Sequence, residues 1–180
     1  MLGEGGEVWV GDETTVRELP PLRASWSKVG QQAEVVITGK NPRKVLHGAL
    51  NVETGEQVLV TRDRGRGEDV IAFVEVLGAI RPLFPKLLIW DNAPPHKPKL
   101  VQAALAERNI TVVWLPFRSP ELNPIEDLWR HLKLVVAANR VFENVTLLAE
   151  AAVAWLTTLG PVGRKRAAAL LSTQFQWLPT

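Results

Sequence analysis

A chain of 180 residues, 46% apolar and 22% charged with a net charge of only +2, has the make-up of one globular domain with a proper core, and its overall charge says little about a nucleic-acid partner. Zero cysteines exclude disulfides, thiolate nucleophiles and cysteine-ligated zinc, so a metal would need oxygen or imidazole ligands, which favours hard cations such as magnesium or manganese. No apolar run reaches the roughly 20 residues that span a bilayer, and the opening MLGEGGEVWV lacks the pattern of a signal peptide, so a cytoplasmic protein with no membrane partner is expected.

In chain order, Glu7 to Val10 reads as a short strand that delivers Asp12 just beyond its apolar residues. RELPPLRASWSKVGQQ, rich in Pro, Ser and Gly, reads as a long excursion. AEVVITG (33–39) and KVLHGALNVETGEQVLVT (44–61) supply β-branched strands, the second a hairpin turning at Thr54 and Gly55. Two basic segments stand out, TRDRGRG (61–67) and GRKRAAALL (163–171); either could meet phosphates or be simply solvated. Apolar residues at 70, 71, 73, 74, 77 and 80 have the spacing of an amphipathic helix over 68–80.

Leu87, Leu88, Ile89 and Trp90 then read as a buried strand of a parallel sheet, stopped by Asn92, Pro94 and Pro95. Such a strand leaves Asp91 at its C-terminal edge, where open α/β sheets bind ligands. A helix over 97–109, a strand over 110–116 and helices near 124–138, 144–159 and 161–172 complete the chain. The order β-β-β-α-β-α-β-α describes an α/β fold, a mixed five-stranded sheet flanked by helices.

Asn123 followed by Pro124 marks a helix start, which sets Glu126 in the first turn. Each acidic residue has an ordinary alternative role: an Asx-turn for Asp91, and for Glu126 a capping box with Asn123. Glu13 and Asp127 are rival carboxylates; strand alternation sends Glu13 to the face opposite Asp12, and Asp127 sits about 100° around the helix from Glu126. Both are expected to turn away from the other acids. Trp129 and Leu132, three apart, read as core residues.

WDNAPPH (90–96), LPFRSPELNPIEDLW (115–129) and GDETTVRELPPLRASWSKVGQQ (11–32) together resemble the catalytic domain of the mariner-like superfamily of DDE/D transposases, in the branch found in bacterial insertion sequences. The resemblance covers nearly all of residues 7–140. It implies a ribonuclease-H-like fold and puts the family's acidic triad on Asp12, Asp91 and Glu126, ligands for Mg2+ or Mn2+, two ions in all. It implies a role for His96 near the phosphate or in shaping its loop, beside the alternative of a histidine satisfied by backbone. Asn92 and Asn123 are candidates to hydrogen-bond the acids.

The implied partners are double-stranded DNA, as transposon ends and target, and further copies of the chain in a homo-oligomeric active complex. Candidates for DNA contact are Trp26, the set Arg62, Arg64 and Arg66, and the set Arg164, Lys165 and Arg166. Full-length relatives carry helix-turn-helix domains ahead of the catalytic domain, whereas here the first strand begins about seven residues from Met1. Residues 1–180 are thus expected to form a single catalytic domain, helical from about 140 onward, without that DNA-reading module. The expected activity is DNA cleavage and strand transfer in cut-and-paste transposition; the alternative is a non-catalytic DNA-binding or oligomerisation remnant.

Overall fold

In the computed structural model, which describes residues 5–31, 34–35 and 39–175, the first strand organises the sheet. β1 (Glu7–Arg17) pairs antiparallel with β2 (Arg43–Asn51) and parallel with β4 (Lys86–Trp90). β3 (Gln57–Arg62) pairs antiparallel with β2, and β5 (Ile110–Trp114) parallel with β4, giving the order β3-β2-β1-β4-β5. Only β2 runs against the others. The C-terminal ends of β1, β3, β4 and β5 therefore share one edge, as they must when βαβ crossovers return the chain to the same side.

Register places two acids at that edge. Val10 lies opposite Ile89, and two further residues along each parallel strand reach Asp12 and Asp91. Adjacent strands are about 4.8 Å apart, so the two acids stand level and close. β1 does not stop where its apolar run suggests. β2 goes on pairing with it after β4 has ended, carrying the strand through Asp12, opposite Gly48, to Arg17. Of the strand expected over 33–39, Glu34 and Val35 lie outside any strand; residues 33 and 36–38 fall outside the described residues.

Alternation divides the core between two faces. Val10, Leu46, Leu50 and Ile89 project toward α3 (Pro124–Leu132) and α4 (Val145–Thr158), where Ile125, Leu128, Trp129, Leu132 and Leu156 are buried. Trp9, Ala49, Val58, Leu88 and Trp90 project toward α1 (Gly67–Ala79) and α2 (Lys99–Glu107), against Phe73, Leu77 and Val101. Each such side chain contributes about 1.5–3 kcal/mol. The last helix, α5 (Gly160–Ala167), returns to the β2-β3 hairpin, which turns at Gly55 with φ of +72°. Among the described residues, no single helix is long and apolar enough to cross a membrane.

Gly48 seats α3. A side-chain carbon there would lie 2.5 Å from the Trp129 indole, closer than packed atoms come, so glycine lets the ring lie on the sheet beside Asp12. Glu126 is one turn earlier on the same helix. After Leu132 the helix widens into a π-turn over Lys133–Ala137, closed by Ala138 N–H donating to the Lys133 carbonyl at 2.9 Å. Asn139 follows with φ of +54° and binds the β1-β2 excursion reciprocally: it accepts from Arg23 N–H at 2.8 Å and donates to the Arg23 carbonyl at 3.0 Å.

Candidate active site

Asp12 projects from β1 to the α3 face, like Val10 two residues before it. It is 7% exposed, and among the described residues its Oδ2 has no hydrogen-bond partner. Burial pushes its pKa well above the ordinary aspartate value, and the negative charges of Glu126, Glu13 and Asp91 push the same way. An unpaired carboxylate crowded by three others is costly to bury. Glu126 shows the same strain more mildly: partial burial raises its pKa, Lys133 opposes this, and Asp91, Glu13 and Asp127 add to it.

Asp91 and Glu126 both line a cleft of about 170 Å³ at the C-terminal edge, with Asn92, Phe117, Arg118, Ser119 and Asn123. Asn123 is the N-cap residue of α3, but its side chain caps nothing. Its Nδ2 donates 2.9 Å to the Gly11 carbonyl, tying the start of α3 to β1 beside Asp12. The capping box is therefore absent: Asn123 is a strut that carries Glu126 toward Asp12. Asn92 donates 3.4 Å to the Leu115 carbonyl, so neither asparagine bonds a carboxylate. Asp127 is held by Arg130 at 2.6 Å.

His96 was the least legible member. Pro94–His96 forms a short 3-10 turn that folds the imidazole back onto Trp90, ring centres 3.7 Å apart and fully buried. Its Nδ1 lies 2.9 Å from Asp91 Oδ1 and its Nε2 lies 3.0 Å from Glu13 Oε2. A neutral imidazole carries one N–H, so two carboxylate partners call for the doubly protonated ring. Burial opposes that charge, but the bonds to Asp91 and Glu13 outweigh it and push the pKa up to about 9. For Asp91, burial is in turn outweighed by His96, the Ala93 N–H and Lys97, which hold its pKa below the ordinary value.

Glu13 is thus no bystander. It does leave β1 on the face opposite Asp12, yet His96 reaches from the β4 edge to meet it. The expected face holds; the partner it meets there, His96, is the addition, because alternation fixes a side chain's face, not what another loop brings to it. Arg118 lines the same cleft; its place in FRSPE, a few residues ahead of the helix that carries Glu126, is the signal the sequence offers. Among the described residues, no three His, Asp or Glu side chains are gathered tightly enough to hold a metal ion as they stand. Asp91 is turned instead to His96.

The basic candidates separate. Arg62 ends β3 on the carboxylate edge, and Arg64 and Arg66 follow it; Arg64 and Arg66 are exposed, and Arg62 lies 3.8 Å from Asp69. The second set is corrected. Arg164 is buried and donates to the Gly55 and Leu156 carbonyls at 2.9 and 3.2 Å, and Lys165 donates 2.7 Å to the Glu53 carbonyl. Both are spent on holding α5 to the hairpin, leaving Arg166 exposed. Trp26 is fully exposed in the β1-β2 excursion.

Comparison with known proteins identifies the fold and the family. The 39 kDa protein of insertion element IS630 from Shigella sonnei is 28% identical over 159 residues, 86% of this chain and 46% of that protein. The chain thus spans about half the length of that relative. The Tcb2 transposase of Caenorhabditis briggsae is 40% identical over 43 residues, 24% of this chain and 16% of that protein. Mos1 transposase, in a paired-end complex with its left transposon end, superposes with a TM-score of 0.70 at 18% identity, over 96% of this chain and 54% of that one. The catalytic domain of Mos1 mariner transposase gives 0.61 at 15% identity, over 94% and 78%. The fold is accordingly ribonuclease-H-like. The DDE superfamily endonuclease family matches residues 7–149, from the first residue of β1 into α4 and across every acid described above, and to that family this chain belongs.

Proposed function

We propose that the chain is the catalytic core of a cut-and-paste transposase, a metal-dependent DNA endonuclease and strand transferase, with Asp12, Asp91 and Glu126 as ligands for two Mg2+ or Mn2+ ions. The observation that carries this reading is Asp12: a buried carboxylate with an unpartnered oxygen, pressed by negative charge, is what a cation would relieve. An all-oxygen donor set suits hard divalent ions. Mos1 mariner paired-end complexes hold Mn in one case and Mg in another, which supports the choice of ion.

Bound there, two divalent ions would supply the Lewis acidity that activates an attacking oxygen and stabilises the leaving oxygen at phosphorus. The chain's own residues do the placing. β1 holds Asp12, Asn123 and the Gly48–Trp129 contact hold Glu126, and His96 pins Asp91. Arg118 offers a guanidinium to a phosphate lying in the cleft, and Arg62, Arg64 and Arg66 extend a basic margin along the same edge. Double-stranded DNA is the substrate, and a homo-oligomer brings two ends together.

The test is plasmid nicking by the purified chain with Mg2+ or Mn2+. Wild type should nick only with the ion. Asp91→Asn should lower the rate by about three orders of magnitude, the scale of several kcal/mol of transition-state stabilisation. Nicking that persists in EDTA, or survives Asp91→Asn, defeats the proposal.

A further inference from the structure

Asp91 lies one residue past the end of β4, where no strand pairing orients its side chain, and that side chain is 44% exposed. A carboxylate so placed swings freely unless something holds it. Two donors do, and both choose the same oxygen: His96 Nδ1 at 2.9 Å and the Ala93 N–H at 3.3 Å meet Oδ1. Neither donor meets Oδ2, and Asp91 lines the cleft.

His96 can aim only if it is itself fixed. Trp90 stacks on one face of the ring, Gln102 donates 2.8 Å to the His96 carbonyl, and Glu13 Oε2 meets Nε2 at 3.0 Å. The stack fixes the plane of the ring, and the Glu13 contact at Nε2 selects, of the two orientations related by a ring flip, the one that turns Nδ1 toward Asp91. Glu13 sits on a central strand, opposite His47 of β2.

We infer that Glu13, acting through His96, is a positioning residue for Asp91, turning its Oδ1 inward and leaving Oδ2 as the oxygen offered to a cation. One rigid strand then places two acids of the site, Asp12 directly from one face and Asp91 by way of Glu13 from the other. This rests on the metal-site reading proposed above. The wider pattern is familiar physics: partners behind a metal ligand fix its orientation, and losing one costs about 10- to 100-fold in metal affinity or activity.

The experiment separates reach from charge at Glu13. Glu13→Gln keeps the length and an oxygen that accepts from His96 Nε2 but drops the charge, whereas Glu13→Asp keeps the charge and falls one methylene short. Mn2+ affinity of the full chain without DNA, read by electron paramagnetic resonance, should rank wild type first, Gln within about fivefold, and Asp and Ala weaker by about 10- to 100-fold. In DNA nicking, Asp and Ala should lower kcat by a similar factor at unchanged KM. If the Ala variant does not fold, the Gln and Asp pair decides alone. Wild-type Mn2+ binding with Asp equal to or tighter than Gln overturns the inference, because charge rather than placement would then be what Glu13 provides. Wild-type protein that neither binds Mn2+ nor nicks DNA overturns the metal-site reading, and the inference with it.

Discussion

Glu7 and Asp12 leave the same strand at opposite edges of the sheet, and both are largely buried, 12% and 7% exposed. Their company differs completely. Glu7 accepts from Trp9 Nε1 at 3.1 Å, pairs with Arg81 and lies 3.8 Å from the fully buried Lys86, while Arg81 reaches on to Glu56 at 2.6 Å. Lys86 is completed by the Arg81 and Phe84 carbonyls, and at this same edge Arg164 and Lys165 bind carbonyls of the β2-β3 hairpin. Asp12 has an orphaned oxygen and negative neighbours. At the N-terminal edge charge is cancelled within the chain; at the C-terminal edge it is left standing. A local rule broken at one edge and obeyed at the other, on one strand, is what the proposed reading expects where a cation would complete the structure.

The strongest way to test the contrast is to break the satisfied edge. Glu7→Gln leaves the buried Lys86 without its carboxylate, while Arg81 keeps Glu56, and uncompensated buried charge costs about 3 kcal/mol. Urea unfolding should show that loss, while Mn2+ affinity stays as in wild type because the acids of the other edge are untouched. A loss of Mn2+ binding in a folded Glu7→Gln protein would mean that the two edges are not independent.

Removing charge from the other edge should act in the opposite sense. The folded chain holds a proton on Asp12 more tightly than the unfolded chain does, since burial and like charges raise its folded pKa. Asp12's contribution to the stability of the metal-free protein is therefore greatest below the ordinary aspartate pKa and is lost as pH rises from there through its raised folded value. Asp12→Asn should flatten that fall and make the metal-free protein more stable than wild type at neutral pH. Adding Mg2+ should stabilise wild type and leave the variant nearly unmoved, because the ion binds the ionised form. Thermal melts in EDTA and in Mg2+ across pH check both; an Asn variant less stable than wild type in EDTA would make Asp12 a structural residue.

What could be read in the sequence follows from range. Apolar periodicity and Pro/Gly punctuation are local, so the order of strands and helices and the strand-end position of Asp91 were legible. β1 was read too short because its extension through Asp12 depends on β2, whose partner residues lie at least 26 positions away. The Asn123-x-x-Glu126 spacing suggested a capping box, but β1 offered Asn123 a buried carbonyl at Gly11 instead, and tertiary contact overrode the local motif. The partners of Glu13 and Arg164 were hidden for one reason: His96 and the Gly55 carbonyl are far along the chain. Runs of charge look alike in sequence whether they are solvated or spent on the fold.

The two basic segments carry the contrast between edges into DNA binding, with the smallest effect per residue. Arg64 and Arg66 are exposed on the carboxylate edge, and Arg62 lies beside them, paired loosely with Asp69. Cations there can reach a DNA backbone that also reaches the acids, whereas Arg164 and Lys165 are engaged at the far edge and cannot. Replacing Arg62, Arg64 and Arg66 together by Ala should weaken binding of unrelated DNA sequences about equally, and each lost phosphate contact should reduce the slope of log affinity against log salt by about 1. Arg166→Ala should leave the slope alone. Arg164→Ala should lower the melting temperature, because two buried carbonyls lose their donor, and change DNA affinity little in the folded fraction. Salt titrations by fluorescence anisotropy on two unrelated duplexes decide the matter. A slope that falls with Arg166 and not with the 62–66 set would move the DNA to the edge whose charges the chain has already neutralised, and the contrast drawn from Glu7 and Asp12 would no longer locate the substrate.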